Sequence, residues 1–261
     1  MSAAARYCPP RNAGCCPGGD GEVAVSPRRR GLALLVLAVL AVLAGPALAG
    51  CSGGSSSESA PDLLAKAKTT LDDAKTAHFA LDSTGAPNTG TVLTGGEGDI
   101  ARPASFDGTL KVHALGSALD LKVISVDGTV YAQLPFTTSY SKVDPAQFGF
   151  GDPGALLDPD TGISQLLAKA ESAKLGDEKR VDGEVVREVT AKLPGNLVEQ
   201  ILTSKDPSKP VDATFSIATK SSELRRAVLT GPFYEAGKDA TFTLDLSDFG
   251  ADVHITAPPT G

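Results

Sequence analysis

The chain has 261 residues, with 24 Lys/Arg against 31 Asp/Glu and a formal net charge of −7; phosphate backbones repel such a surface, which argues against nucleic-acid binding. Hydrophobic residues make up 41% of the chain but aromatics only 5%, with no Trp and one Met, so the apolar matter is chiefly Leu, Val, Ile and Ala.

Residues 1–27 are rich in Gly, Pro, Ala and Arg without an apolar period and read as disordered. Arg28, Arg29 and Arg30 then precede GLALLVLAVLAVLAGPALAG, which carries no charge. A basic cluster, an apolar stretch and a small-residue exit describe a secretory signal. A transmembrane helix needs about 20 apolar residues, whereas the strongly apolar part here runs from Leu32 to Leu43 and is broken at Gly45-Pro46. No basic stop-transfer cluster follows. Arg28-Arg29 lacks the flanking pattern of a twin-arginine signal, so the general secretory route is expected, and the long basic region is compatible with a later start at Val23 or Val25.

Leu48-Ala49-Gly50-Cys51 resembles the lipobox of bacterial lipoproteins. Small residues there let the extended chain enter a narrow peptidase site, and the Cys51 thiol becomes a thioether to diacylglycerol. Residues 1–50 are therefore expected to be a cleaved signal peptide. The other cysteines, Cys8, Cys15 and Cys16, would leave with it, and a domain without thiols suits an oxidising compartment. With the five Lys/Arg and two Asp/Glu before Cys51 removed, 19 basic and 29 acidic residues remain, a net charge of −10. Attachment to the plasma membrane then rests on acyl chains, of which two or more anchor a protein stably.

Residues 51–60 form a Gly/Ser tether, and residues 61–261 are long enough for a single domain with a sizeable core. Residues 61–78 predict an amphipathic helix, with Leu64, Ala67, Leu71, Ala74 and His78 at three- and four-residue steps. Gly95-Gly96-Glu97-Gly98 reads as a glycine-rich turn. The period then becomes two: residues 109–114, 118–126 and 129–134 predict three strands, joined at Leu115-Gly116-Ser117 and at Asp127-Gly128, a strong hairpin signal. Residues 144–175 hold three Asp-Pro pairs and several glycines, with a helix expected over 163–174. Strand patterns return over 179–193 around Asp182-Gly183, a short helix over 194–203, and strands over 211–218, 224–229, 240–246 and 251–256. Hairpin-connected strands with inserted helices indicate an α+β fold, the helices on one face of an antiparallel sheet.

Motifs for chemistry are missing. His78, His113 and His254 lie far apart, with His113 and His254 on the polar phase of their strands. There is no nucleophile elbow, P-loop or dinucleotide fingerprint, and Asp152, Asp158 and Asp160 lack the ligand spacing of a calcium loop. No catalytic residue, metal or cofactor is assigned, and an enzyme is not expected.

The tether, the first helix, the strand pair around VDGTVYAQLPFTTSYSKVDP and the segment FGDPGALLDPDTGISQLL together resemble the LppX/LprA/LprF/LprG lipoproteins of mycobacteria and related actinomycetes, over most of residues 62–256. That family is similar in turn to the lipoprotein carriers LolA and LolB. The resemblance implies a strongly curved antiparallel half-barrel with helices on its concave face and an apolar cavity between the layers. It also implies an acylated lipid or glycolipid as ligand, carried from the plasma membrane toward the outer envelope, a place on the extracytoplasmic side of the cell membrane, and an envelope lipid exporter as a partner. The wall would come from Leu110, Val112, Leu119, Leu121, Val123, Val130 and Leu134, and the lid from Leu156, Leu157, Ile163, Leu166 and Leu167. The rival reading is an envelope scaffold or protein-interaction lipoprotein with a solid core. Replacing the anchor residue, Cys51→Ala, is expected to release the protein into the medium or leave it unprocessed; fractionation that finds it still processed and membrane-bound would refute lipidation.

Overall fold

The computed structural model describes residues 58–260 apart from Leu115 and Gly149; the expected signal segment, Cys51 and most of the tether lie outside the described residues. Helix α1, Ala60–Asp73, begins with a capping box. The Ser59 hydroxyl accepts from the Asp62 amide at 3.3 Å, and the Asp62 carboxylate accepts from the Ser59 amide at 3.4 Å, satisfying donors the first turn would otherwise leave open. Leu63, Leu64, Ala67 and Leu71 form its buried face. At the far end Arg102 donates from Nε to the Ala74 carbonyl at 2.7 Å, a cation where the helix dipole is negative. The helix is therefore shorter than residues 61–78. From Ala77 the apolar residues recur every second position, the backbone becomes extended, and His78 belongs to a strand rather than to the helix face.

Eleven antiparallel strands follow: β1 Thr76–Thr84, β2 Val92–Ala101, β3 Ser105–Ala114, β4 Ser117–Val126, β5 Thr129–Gln133, β6 Ser141–Lys142, β7 Glu171–Val181, β8 Glu184–Leu193, β9 Val211–Ala218, β10 Leu224–Glu235 and β11 Lys238–Ser247. They make one sheet in the order β6-β5-β4-β3-β2-β1-β11-β10-β9-β8-β7. It is a curved, unclosed half-barrel. The two hairpins expected from Asp-Gly pairs are present: Asp127-Gly128 and Asp182-Gly183 all have positive φ, between 48° and 86°, as a two-residue primed turn requires.

Two meanders thus meet in the middle, where β1 pairs β11, and the first ends at one edge while the second begins at the other. The chain between them must cross the whole sheet. It does so through the 3₁₀ turns Pro145–Phe148 and Pro153–Leu157 and the short helix α2, Ser164–Ala168. The turn at Pro153–Leu157 packs over β2, β3 and β4, and α2 packs on α1. Helix α3, Gly195–Val198, lies between β8 and β9.

Several expected elements take another form. The helix over 163–174 shrinks to α2, because residues from Glu171 onward pair with β8. The segment 251–256 joins no ladder. It leaves β11 with the Ala251 carbonyl accepting from Thr76 Oγ1 at 2.8 Å and reaches Tyr140, which bridges Thr260; half-buried Val253 and Ile255 alternate with exposed neighbours, which is the source of its strand-like pattern.

The glycine-rich turn is the largest correction, since Gly95, Gly96 and Gly98 lie inside β2. Gly98 faces Gly108 across the β2–β3 ladder. A Cβ on Gly108 would stand 2.3 Å from the Glu97 carbonyl oxygen and 2.6 Å from the Phe106 ring; on Gly98 it would stand 2.5 Å from the Asp107 oxygen. The absent side chains let the strands approach and the fully buried Phe106 lie over them. Gly108→Ala is expected to cost roughly 2–3 kcal/mol, an overpacking penalty, and to lower the melting temperature by roughly 5–10 °C for a domain of this size, read by thermal circular dichroism.

Candidate ligand cavity

Between the crossover and the sheet lies a cavity of about 450 Å³. Its wall is the inward phase of the five central strands. Phe79 and Leu81 come from β1, Leu93 from β2, Leu110 from β3, Ala227 and Leu229 from β10, and Phe242 and Leu244 from β11. The facing side is the crossover, with Pro153, Ala155, Leu156, Ile163 and Leu166. The chain after α3 closes one end: Phe150 bridges Leu202, and the Gly151 amide donates to the Ile201 carbonyl at 3.5 Å. Phe150 is backed by Phe148, with ring centroids 6.2 Å apart.

Packed aromatics adjoin this end, where Phe233, Tyr234 and Phe242 gather with Leu202 around a smaller hollow. Phe233 meets Phe242 edge-on at 5.1 Å, and Tyr234 lies 5.6 Å from Phe242. The Tyr234 hydroxyl donates to the Leu93 carbonyl at 2.7 Å, tying β10 to β2 over the two intervening strands. Burial, which disfavours the phenolate, pushes this phenol up.

Three polar side chains reach the lining: Asp152, Thr161 and Gln200; it includes no Lys, Arg or His. Asp152 is occupied within the protein. Its Oδ1 accepts from the fully buried Ser125 hydroxyl at 2.6 Å and from the Gly154 amide at 2.8 Å, so one carboxylate caps the 3₁₀ turn and pins it to β4. Asp158 does similar work one turn later, accepting from the Asp160 amide at 2.9 Å and the Thr161 amide at 2.8 Å. Partial burial pushes its carboxyl up, but these bonds together with the Thr161 hydroxyl outweigh that and hold it below the usual range. The acidic run is thus turn-forming, and among the described residues no three His, Cys, Asp or Glu side chains are grouped to hold a metal ion.

Of the side chains proposed from sequence, Leu110, Leu156, Ile163 and Leu166 line the cavity. Val112, Leu121, Val123, Val130, Leu157 and Leu167 are buried in the packed core beside it, and Leu119 is half-buried against that core. Leu134 does not belong to the wall: it lies one residue past β5 and is 40% exposed. The expected wall was β3–β4–β5, whereas the cavity sits over β3-β2-β1-β11-β10. Phe79, Leu81, Leu93, Ala227, Leu229, Phe242 and Leu244 were missed as wall residues; all but Leu93, which precedes a register shift at Gly95, lie on an alternating apolar phase visible in the sequence.

The model of the LppX_LprAFG lipoprotein family matches residues 59–255. The chain belongs to this family. A relative within reach of whole-length comparison is the lipoarabinomannan carrier protein LprG of Mycobacterium bovis (strain BCG / Pasteur 1173P2), 30% identical over 243 residues, covering 90% of this chain and 98% of that one. Among solved structures, LprF from Mycobacterium bovis superposes with a TM-score of 0.62 at 19% identity, covering 77% of this chain and 97% of that one. LppX from Mycobacterium tuberculosis superposes with a TM-score of 0.56 at 20% identity, covering 75% and 99%. These likenesses show that the fold is shared with LprF and LppX.

The outer face of the sheet carries the ionisable groups. His78 Nδ1 lies 2.7 Å from Asp99 Oδ1, and Asp99 is the cross-strand partner of Asp107. Both acids alternate with the buried Ile100 and Phe106, which places them on the side away from the cavity. Partial desolvation and then the like charge of Asp99 push the Asp107 carboxyl up. A raised carboxyl holds its proton more tightly folded than unfolded, so its favourable contribution is present at low pH and lost as pH rises through the raised value. Asp107→Asn is therefore expected to raise the melting temperature slightly at pH 7, with the gain vanishing below about pH 4; paired thermal melts test this, and a parent more stable than the variant at pH 7 would contradict it.

Proposed function

We propose that this chain is a lipid carrier of the cell envelope, holding acyl chains of a lipid or glycolipid between the central strands and the crossover. The observation that carries the reading is an apolar cavity within the core. At about 450 Å³ it falls in the range of roughly 300–1,000 Å³ that encloses small ligands. Left empty, its lining forfeits dispersion contacts; filled with hydrocarbon, each buried methylene contributes about 0.8 kcal/mol. The lining has one charged side chain, already hydrogen-bonded inside the protein, so the interior suits hydrocarbon, with the headgroup left outside. LprG is named a lipoarabinomannan carrier, which supports an acylated glycolipid as the cargo class.

In this reading residues 1–50 are removed, Cys51 is acylated, and residues 51–60 tether one domain to the extracytoplasmic face of the plasma membrane. No helix among the described residues is long and apolar enough to cross a bilayer; in this reading the acyl anchor makes the attachment. Cargo passes toward the outer envelope, with a lipid exporter as the partner that receives or delivers it. The chemistry is binding, without catalysis.

Organic extraction of the purified protein followed by mass spectrometry is expected to release acylated lipid in a reproducible ratio to protein. Ala227 sits on the wall with a small, buried side chain, so Ala227→Trp fills the space and leaves Asp152, Thr161 and Gln200 in place. It is expected to lower the lipid-to-protein ratio about tenfold, the equivalent of two excluded methylenes, with the melting temperature maintained. Leu110→Phe is the milder second variant should the indole prevent folding. Lipid retained in full by a folded, filled variant would overturn the reading.

A further inference from the structure

We propose that the loop between β5 and β6, residues 134–140, is a finger that seats Phe136 and Leu134 in the lipid–water interface of a bilayer while cargo is exchanged; the exchange rests on the carrier reading, the contact itself does not. Phe136 is fully exposed and Leu134 is 40% exposed, and they are two of three large apolar side chains exposed among the described residues. The third, Leu175, lies on β7 at the opposite edge of the sheet. In a chain with few aromatics, one ring is held wholly in water.

The exposure is built by the turn. Phe136 has φ of +69°, in the left-handed region that a bulky residue rarely adopts. The turn around it is closed by the Thr137 amide donating to the Leu134 carbonyl at 3.1 Å, by the Thr137 hydroxyl donating to the same oxygen at 2.8 Å, and by Gln133 Nε2 donating to the Thr137 carbonyl at 3.0 Å. Strain at a rare backbone angle persists when surrounding bonds over-determine it, and it gathers at functional positions.

The chemistry of the loop selects a membrane over a protein. Residues 134–140, LPFTTSY, carry no charge. At its base Lys122 stands opposite Gln133 and Lys142 opposite Tyr131, with Lys142 Nζ 6.0 Å from the Tyr131 ring centroid. An apolar tip above two cations and an aromatic matches the headgroup boundary, where aromatic rings settle and Lys meets anionic lipid. A stable protein interface buries more than about 1,000 Å², which two side chains on one turn do not supply, whereas a bilayer accepts a single ring.

The absence of Trp from the chain makes Phe136→Trp a unique fluorescent reporter. The full chain carrying it is mixed with vesicles of phosphatidylcholine and phosphatidylglycerol, with and without brominated phosphatidylcholine. A blue-shifted emission quenched by bromine near the headgroup end is expected; emission unshifted and unquenched overturns the proposal. Phe136→Asp is expected to slow lipid transfer between vesicles about tenfold, as loss of part of a buried Phe's transfer energy implies, while the lipid that co-purifies stays unchanged. Transfer at the parental rate would equally overturn it. Loss of the carrier reading shows separately, as a parent protein that yields no lipid on extraction, and leaves the bromine quenching to decide the contact.

Discussion

The β1–β11 ladder is the constraint from which the rest of the architecture follows. It pairs the first strand of one meander with the last strand of the other, seven residues from each, His78↔Ser247 through Thr84↔Thr241. Once those two strands are neighbours, the last strand of the first meander and the first strand of the second lie at opposite edges. Any chain joining them must traverse a face of the sheet, and this one traverses the apolar face. The ladder also builds the floor of the cavity, because Leu81 stands opposite Leu244, and Phe79 and Phe242 lie on the same inward phase. One pairing therefore fixes both where the wall is and what covers it.

Why the two layers leave space follows from the covering elements. A long amphipathic helix would lay a continuous ridge of side chains along the sheet. The crossover instead offers two 3₁₀ turns of four and five residues and a five-residue helix, interrupted by proline and glycine. Over β4 it still packs solidly, through Leu157 and the Asp152–Ser125 bond. Over the sheet centre it contributes only Ala155, Leu156, Ile163 and Leu166 against a wall that includes the small Ala227. Space remains where short elements meet a wide, curved strand surface.

Local chemistry was legible in the sequence, and nonlocal order was not. Asp127-Gly128 and Asp182-Gly183 announce their hairpins because a positive-φ turn needs those residues wherever the strands end up. The cap at Ser59 and the apolar stripe of α1 are similarly local. By contrast, nothing near Thr76 indicates that β1 will lie beside β11, so the sheet centre, and with it most of the wall, was hidden. Gly95, Gly96 and Gly98 misled because glycine serves close strand approach as readily as turning. Residue 134 misled for another reason: the alternation through Val130 and Ala132 runs on past the last paired residue, Gln133, and periodicity does not register where a ladder stops. The family resemblance supplied the layer order that periodicity lacked.

The edges of the sheet decide which part of the molecule is free to move. At one edge β6 has only two residues, and the adjoining Tyr140 is bridged by Thr260. At the other, β7 carries two register shifts along with Lys174 and Lys179, devices that blunt a strand against further pairing. Neither edge is set up to extend the sheet or close it into a barrel, so the wall stays as the ladder sets it. The crossover is tied to its surroundings by Asp152 on Ser125 of β4 and by the long Gly151–Ile201 contact, a small number of bonds beside the continuous ladders of the sheet. Buried side chains such as Leu157 and Ile163 supply the rest of its hold, so the covering layer rests chiefly on apolar packing while the eleven strands keep their register through backbone hydrogen bonds.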